Sequence, residues 1–365
     1  MAFQVKKELF KSFKTTSIFL LILLGFWCFS QQETLVERFY SNKLFPAFAI
    51  IGQTLGAWIP FDLGDCFYGV CILFLLAAFI VLIFLAFKRK YRRAGKLLLH
   101  LVNAGLLIAI AFYLFWGLNY FRVPLERRIG LTTTVKEPCE LLETTVLCID
   151  KANAYRARLS KQDLQQSNQE IFDQAQDLLS NNTFLASYLF VFHPKVKEPL
   201  TNFHVNYTMV AGYFNPFTQE AQVNTAMPTL AKPFTACHEL SHQAGIGFED
   251  EANLIGFILC ASSDNKLFNY SAYYHALFML LNQVFLEDRQ SYQNLLAQLS
   301  PAVRQDAEQE NAYWQQFEGI VNHASSKFYN EYLQLNNQPE GLKRYNRMTK
   351  LLIAWLKDHP ISEVR

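Results

Sequence analysis

Charge is scarce in this sequence: Asp, Glu, Lys and Arg make up 18% of the chain against 51% apolar residues, and the formal charge is only +2. With no stripe of Lys and Arg interleaved with aromatics in the second half, a nucleic-acid partner is excluded. Cysteine is present but unorganised. The seven cysteines, at 28, 66, 71, 139, 148, 237 and 260, form no C-x-x-C pair and keep no regular spacing. That excludes a cysteine zinc site, gives no disulfide framework, and leaves at least one thiol free. Neither an internal repeat nor a low-complexity tract is found.

What is abundant is apolar side chains, 33 phenylalanines among them, and they are concentrated in the first 120 positions. Three runs stand out, at 16–30, 67–87 and 97–118. A bilayer core of about 30 Å takes about 20 apolar helical residues, so the second and third runs are long enough to cross. The first is shorter, and a signal peptide is the competing reading. No A-x-A-like site follows it, and Gly25-Phe26-Trp27 before Cys28 is too bulky for lipoprotein cleavage; an uncleaved anchor is the better account. Lys6, Lys7, Lys11 and Lys14 precede the first run, and Lys88-Arg89-Lys90-Tyr91-Arg92-Arg93 with Lys96 fills the loop at 88–96. Positive charge marks the cytoplasmic side. The N-terminus is therefore expected inside a bacterial cytoplasmic membrane, the loop at 31–66 outside, and everything after Leu118 outside. That first loop carries Phe45 to Ile51 and Trp58-Ile59-Pro60-Phe61, apolar enough to lie along the membrane surface.

From Asn119 onward the composition is that of a folded soluble domain. Helical spacing of apolar residues predicts helices over 141–159, 163–179, 234–244, 248–262, 270–286, 303–333 and 343–356. Val205, Tyr207, Met209 and Val210 predict a strand, Gly212, Asn215 and Pro216 a turn, and Ala221–Asn224 a second short strand. The expected fold is mainly α: a membrane domain at 1–118 with three transmembrane helices, then an extracytoplasmic α(+β) domain at 119–365 with a small β-hairpin.

The chemistry sits at His238-Glu239-Leu240-Ser241-His242. Two histidines four apart share a helix face and offer two imidazoles to one metal. Zn²⁺ accepts such nitrogen ligands, and a catalytic site leaves a position open for water. Glu239, beside the first histidine, is placed to act as general base on that water. A chance H-E-x-x-H in a chain of this composition has odds of about one in a hundred, so context must carry the argument. The third ligand is expected just after the turn at Gly245 and Gly247. Glu249 and Asn253 share a face of the next helix, so Glu249 is assigned as ligand, Asn253 as the group that orients one, and Glu251 as the fallback ligand. The bland alternative, acids stabilised at a helix N-terminus, is accepted for Asp250. Tyr345, Tyr270 and His275 are candidates for stabilising an oxyanion. The strand at Ala221–Asn224 is a candidate edge against which a peptide lies extended, with an ordinary hairpin as its alternative. Cys237 is read as a core residue.

The run Glu249-x-x-Ala252-Asn253 after H-E-x-x-H resembles the E-x-x-A-D of membrane-embedded gluzincin peptidases, in which the first Glu binds zinc; here Asn replaces the final acid and the interval is shorter. The position of Gly245 resembles metzincins, but Phe248 stands where their third histidine would be. Over nearly the whole chain, Trp116-Gly117-Leu118-Asn119-Tyr120-Phe121-Arg122, Pro216 to Asn224, His238 to Asn253 and Tyr345-Asn346-Arg347 resemble a bacterial membrane family labelled domain of unknown function 3810. That resemblance implies three spans and a zincin-like domain, and supplies no substrate. The expected activity is that of a membrane-anchored zinc metallopeptidase with one Zn²⁺ per chain, acting on a peptide or protein outside the membrane. The alternative is a zinc-site sensor or scaffold without catalysis, against which the intact Glu239 speaks. A transporter is disfavoured, because His100 is the only ionisable residue in the three runs.

Overall fold

The computed structural model describes residues 2–133, 138–339 and 345–359. Three of its helices are long and apolar enough to cross a bilayer: Lys11–Ser30 within α1 (Ala2–Ser30), α3 (Leu63–Phe87) and α4 (Tyr91–Phe115). The unbroken run of Leu, Phe, Ile and Ala in α3 has no proline to interrupt it. Its start is fixed by Asp62, whose carboxylate accepts from the Gly64 and Asp65 amides at 2.7 and 3.3 Å. Along α4, Asn103 accepts from Thr16 Oγ1 at 2.7 Å and donates to the Ser12 carbonyl at 3.2 Å. Polar pairs of this kind hold helices together where lipid offers no hydrogen-bond partner.

The third span departs from expectation at both ends. Most of the basic run expected as a loop forms the first turns of α4, leaving a tight turn with Arg89 at φ 55°. At the other end the helix stops at Phe115, and Gly117–Phe121 turns away as a 3₁₀ segment. Between α1 and α3 the chain forms a wide π-helical stretch, Val36–Leu44, then α2 (Phe45–Trp58). α2 is not simply a surface segment. Its Phe45, Ala49, Gln53 and Gly56 are buried against the folded remainder, while Ile51, Leu55 and Trp58 on the other side are exposed.

In the rest of the chain, helices α5 (Pro138–Arg158), α6 (Asn168–Asn181), α8 (Lys232–Gln243), α9 (Glu249–Ala261) and α10 (Lys266–Glu287) build one apolar core. α8 lies at its centre, buried on nearly every side. Cys237 is indeed core, its Sγ 3.5 Å from that of Cys260 on α9. Smaller elements complete the chain: α11 (Arg289–Leu296), α12 (Pro301–Gln315), α13 (Ile320–Leu335) and α14 (Tyr345–Asp358). The single helix expected over 303–333 is thus two, broken before Gly319.

Two strand expectations also change. The segment expected as a strand at 205–210 is the short helix α7 (Asn202–Tyr207), started by the Thr201 side chain accepting from the Phe203 amide. The sheet has three strands in the order β1 (Val196–Lys197), β3 (Glu220–Val223), β2 (Gly212–Asn215), with β1 parallel and β2 antiparallel to β3. β3 is therefore the fully buried middle strand, paired on both sides, and cannot receive an extended peptide. The edge is β2.

Candidate metal centre

α8 places His238 and His242 one turn apart, and their Nε2 atoms come within 3.1 Å of each other. The turn after α8 depends on Gly245, at φ +90°, where a Cβ would also stand 2.7 Å from Phe45 Cε1. It delivers the N-terminus of α9 back over the two rings. Glu249, the first residue of α9, puts Oε2 3.3 Å from His238 Nε2 and Oε1 3.6 Å from His242 Nε2. Ligand atoms about 2.0–2.1 Å from a tetrahedral zinc stand about 3.3 Å apart, so all three separations are of the right size.

Hydrogen bonds on the far sides of the rings aim them. His242 Nδ1 lies 2.7 Å from the Ile246 carbonyl, which can only accept, so Nδ1 carries a proton and Nε2 is the nitrogen turned to the cluster, available to a cation in exchange for its own proton. His238 Nδ1 is held at 2.8 Å by Asn253 Oδ1 in the same way. Two nitrogen lone pairs and a carboxylate turned toward one point form a donor set suited to a cation.

The two carboxylates at the site are differently placed. Although burial works against charge, the adjacent His242 and His238 hold Glu249 well below the usual carboxylate range. Burial opposes charge on His242 as well, yet Glu249 outweighs it and pushes that ring up to about 9. Burial, with Glu249 adding to it, pushes Glu239 up to about 7 against the pull of the two histidines. The ligand atoms of Glu239, His238 and His242 lie within 4.8 Å of one another. Glu249 makes the closer approach to both rings. Glu239 instead turns toward β2, where a Cβ on Gly212 would stand 2.8 Å from Glu239 Oε1 and 2.8 Å from the Gln222 carbonyl. Glycine at 212 is what leaves room for this carboxylate.

A cavity of about 540 Å³ opens over the cluster, and β2 forms one wall of it. His275 reaches it, stacked on Phe234 at 4.4 Å, with its Nε2 unpartnered among the described residues and its pKa lowered by burial. Tyr329, on α13, was not anticipated: its hydroxyl donates to Glu249 Oε1 at 2.7 Å. It lies 80 positions from Glu249, and no local sequence pattern signals such a contact.

Three other candidates are elsewhere. Glu251 is not with the imidazoles. Two residues along a helix is a rotation of about 200°, and its carboxylate accepts from the Leu125 amide at 2.8 Å, fully buried. Tyr270 is committed to the core, donating to Asp306 at 2.6 Å, and does not line the cavity. The Tyr345 side chain lies outside the described residues. Its neighbour Arg347 pairs with Asp250 and Glu126 at 2.8 and 2.6 Å, tying α14 to the start of α9. The carbonyl of His242 accepts from Trp116 Nε1 at 3.0 Å, directly beyond the end of the third span.

The profile of one protein family, described as a protein of unknown function (DUF3810), matches residues 40–353. The chain belongs to that family. The matched region takes in α2 to α13 and most of α14, and so covers the second and third candidate spans together with the whole cluster. No curated protein and no solved structure matches the chain.

Proposed function

We propose that this protein is a membrane-anchored zinc-dependent peptidase that hydrolyses peptide bonds outside the bacterial cytoplasmic membrane. The observation that carries the reading is the spacing of the three donors, 3.1, 3.3 and 3.6 Å, with a second carboxylate beside them that is not needed to complete the set. His238, His242 and Glu249 would hold the metal. Zinc bound there would supply Lewis-acid polarisation, making a water acidic enough to lose a proton near neutral pH.

Glu239 takes that proton as the water attacks the scissile carbonyl and returns it to the departing amine. Asn253 and the Ile246 carbonyl keep the imidazoles oriented through the cycle. β2 is the edge strand that forms a wall of the cavity, which suits a substrate bound in extended form by backbone hydrogen bonds. Of the described candidates for stabilising the developing oxyanion, His275 is the one that lines the cavity. The placement outside the membrane is supported by the basic residues before the first span and in the 88–96 stretch.

The test is elemental analysis of the purified full-length protein beside its His238→Ala variant. About one zinc per chain, lost on substitution, is expected. A folded wild-type protein without zinc would overturn the reading. Zinc with no hydrolysis of any peptide pool would leave the sensor or scaffold reading in its place.

A further inference from the structure

We infer that α13 lies in the lipid interface beside the outer ends of α3 and α4, so that the mouth of the cavity opens at the bilayer surface. The substrate it admits is then a polypeptide segment anchored in that bilayer or emerging from it. This substrate class rests on the peptidase reading; the lipid contact does not.

α13 has three sides. Asn322 and Leu333 face the protein and are buried, and Tyr329 and Tyr332 adjoin them on the side of the cavity. Next to the tyrosines runs a mainly apolar stripe, Ile320, Val321, Ala324, Phe328 and Leu335, which falls within an arc of about 100° on a regular helix; the one charged residue in that arc, exposed Glu331, sits at its border with the polar side, one turn from Lys327. Its members are not covered by protein: Ile320 is 88% exposed, Leu335 78%, Phe328 73% and Val321 52%. His323, Lys327 and Gln334 make the remaining side polar and exposed. One face docked, one apolar face bare and one polar face is the pattern of a helix lying in an interface plane.

Its position identifies the occupant. Tyr332 packs 6.0 Å from Phe112, in the last turn of the third candidate span. Phe317, just ahead of α13, packs 5.5 Å from Tyr207 on α7. The segment leading into α7 is in turn fixed to the first turn of the second candidate span, where the Leu200 amide donates to Asp65 at 2.9 Å. Exposed Phe203 and Leu200 extend the apolar surface there. The bare stripe is thus continuous with the lipid-facing surface of two spans, and Phe328 brings it to the rim of the cavity. A bilayer covers such a surface without a further partner.

The test uses the full chain with its exposed and half-buried cysteines, 28, 66, 71 and 139, replaced by serine. Val321→Cys and Leu335→Cys on the stripe, and His323→Cys and Gln334→Cys on the polar side, are each labelled with bimane. The proteins are placed in phosphatidylethanolamine–phosphatidylglycerol nanodiscs carrying a nitroxide near the headgroup end of the acyl chain. Quenching about threefold stronger on the stripe than on the polar side is expected for an interfacial helix. Equal quenching at the four positions overturns the lipid contact. So does stripe quenching that is lost while a cross-linker joins position 335 to a second copy.

The substrate class is read separately, with a fluorogenic pool of random octapeptides, free or carrying an N-terminal palmitoyl chain, added to unlabelled wild-type nanodiscs. Cleavage at least about tenfold faster for the tethered pool is expected from its raised local concentration. Equal rates overturn the substrate class. Quenching on the stripe with neither pool cleaved overturns the peptidase reading and leaves the lipid contact standing.

Discussion

The floor and the roof of the cavity are built in opposite ways. The floor is α8 with β3 behind it; nearly every residue of the helix is buried, and every residue of the strand is. The roof is α13, which buries only Asn322 and Leu333 and leaves its apolar stripe bare. On the floor each imidazole is held by a hydrogen bond behind it, His238 by Asn253 and His242 by the Ile246 carbonyl, within a closely packed surround. The roof supplies one hydrogen bond to the cluster, from Tyr329, and is docked by fewer contacts, chiefly buried Leu333, and Tyr332 against Tyr120 and Phe112. In the proposed function the chemistry would belong to the closely packed side and selection to the loosely packed side.

Substitutions can break that division of labour, beginning on the floor. Glu239→Gln is expected to lower hydrolysis by about 10²–10⁴-fold while zinc content stays at the wild-type level; an active variant would remove Glu239 from the mechanism. Asn253→Ala frees the His238 ring, and metal affinity is expected to fall by about 10–100-fold, measured by competition with a chelator. Unchanged affinity would mean that the ring is held by packing alone. On the roof, Tyr329→Phe is expected to retain zinc and to lose activity by no more than about tenfold. A loss as large as that of Glu239→Gln would place the tyrosine with the floor as a catalytic residue and collapse the contrast.

The smallest effect concerns the junction between sheet and membrane. Asp62, whose carboxylate caps α3 and accepts from Gln222 of the middle strand at 2.8 Å, is pushed up to about 6 by burial and by the nearby Asp65 and Glu220. A carboxyl raised on folding favours the folded state most below its ordinary value, 3.8, and that contribution is lost as pH rises through about 6. Asp62→Asn keeps a cap acceptor and is expected to flatten the fall in unfolding temperature across that window. A variant with the wild-type slope would assign the titration to another group.

The parts legible in the sequence are those governed by short-range pattern. Apolar runs located the three candidate membrane helices, with starts four to six residues later than the structure has them. The four-residue interval of His238 and His242, followed by a glycine turn, was enough to bring Glu249 onto the same point. Glu249 was separable from Glu251 because helical rotation turns the two apart by about 200°. What the pattern missed depends on the tertiary fold. The alternating Val205 and Tyr207 read as a strand, but the Thr201 cap and the packing of a six-residue helix prevailed. For β3 the sequence left an edge strand and an ordinary hairpin both open; the antiparallel pairing with β2 is the hairpin, and pairing with β1, a segment of two residues, leaves almost no trace in sequence. Tyr270 and Tyr329 differ in nothing a periodicity could detect; one is tied to Asp306 in the core and the other to Glu249 at the cluster.

The bond from Trp116 to the His242 carbonyl has a further consequence. It is reinforced by Arg122, which grips the Gly245 carbonyl at 2.9 Å and Glu37 at 2.7 and 2.8 Å. Together they join the end of the third candidate span directly to the histidine helix and its turn, which in the proposed function would hold the site at a constant height above the bilayer. A peptidase built this way would work as a ruler, cutting a bilayer-anchored chain at a set number of residues from the membrane, whatever the sequence there.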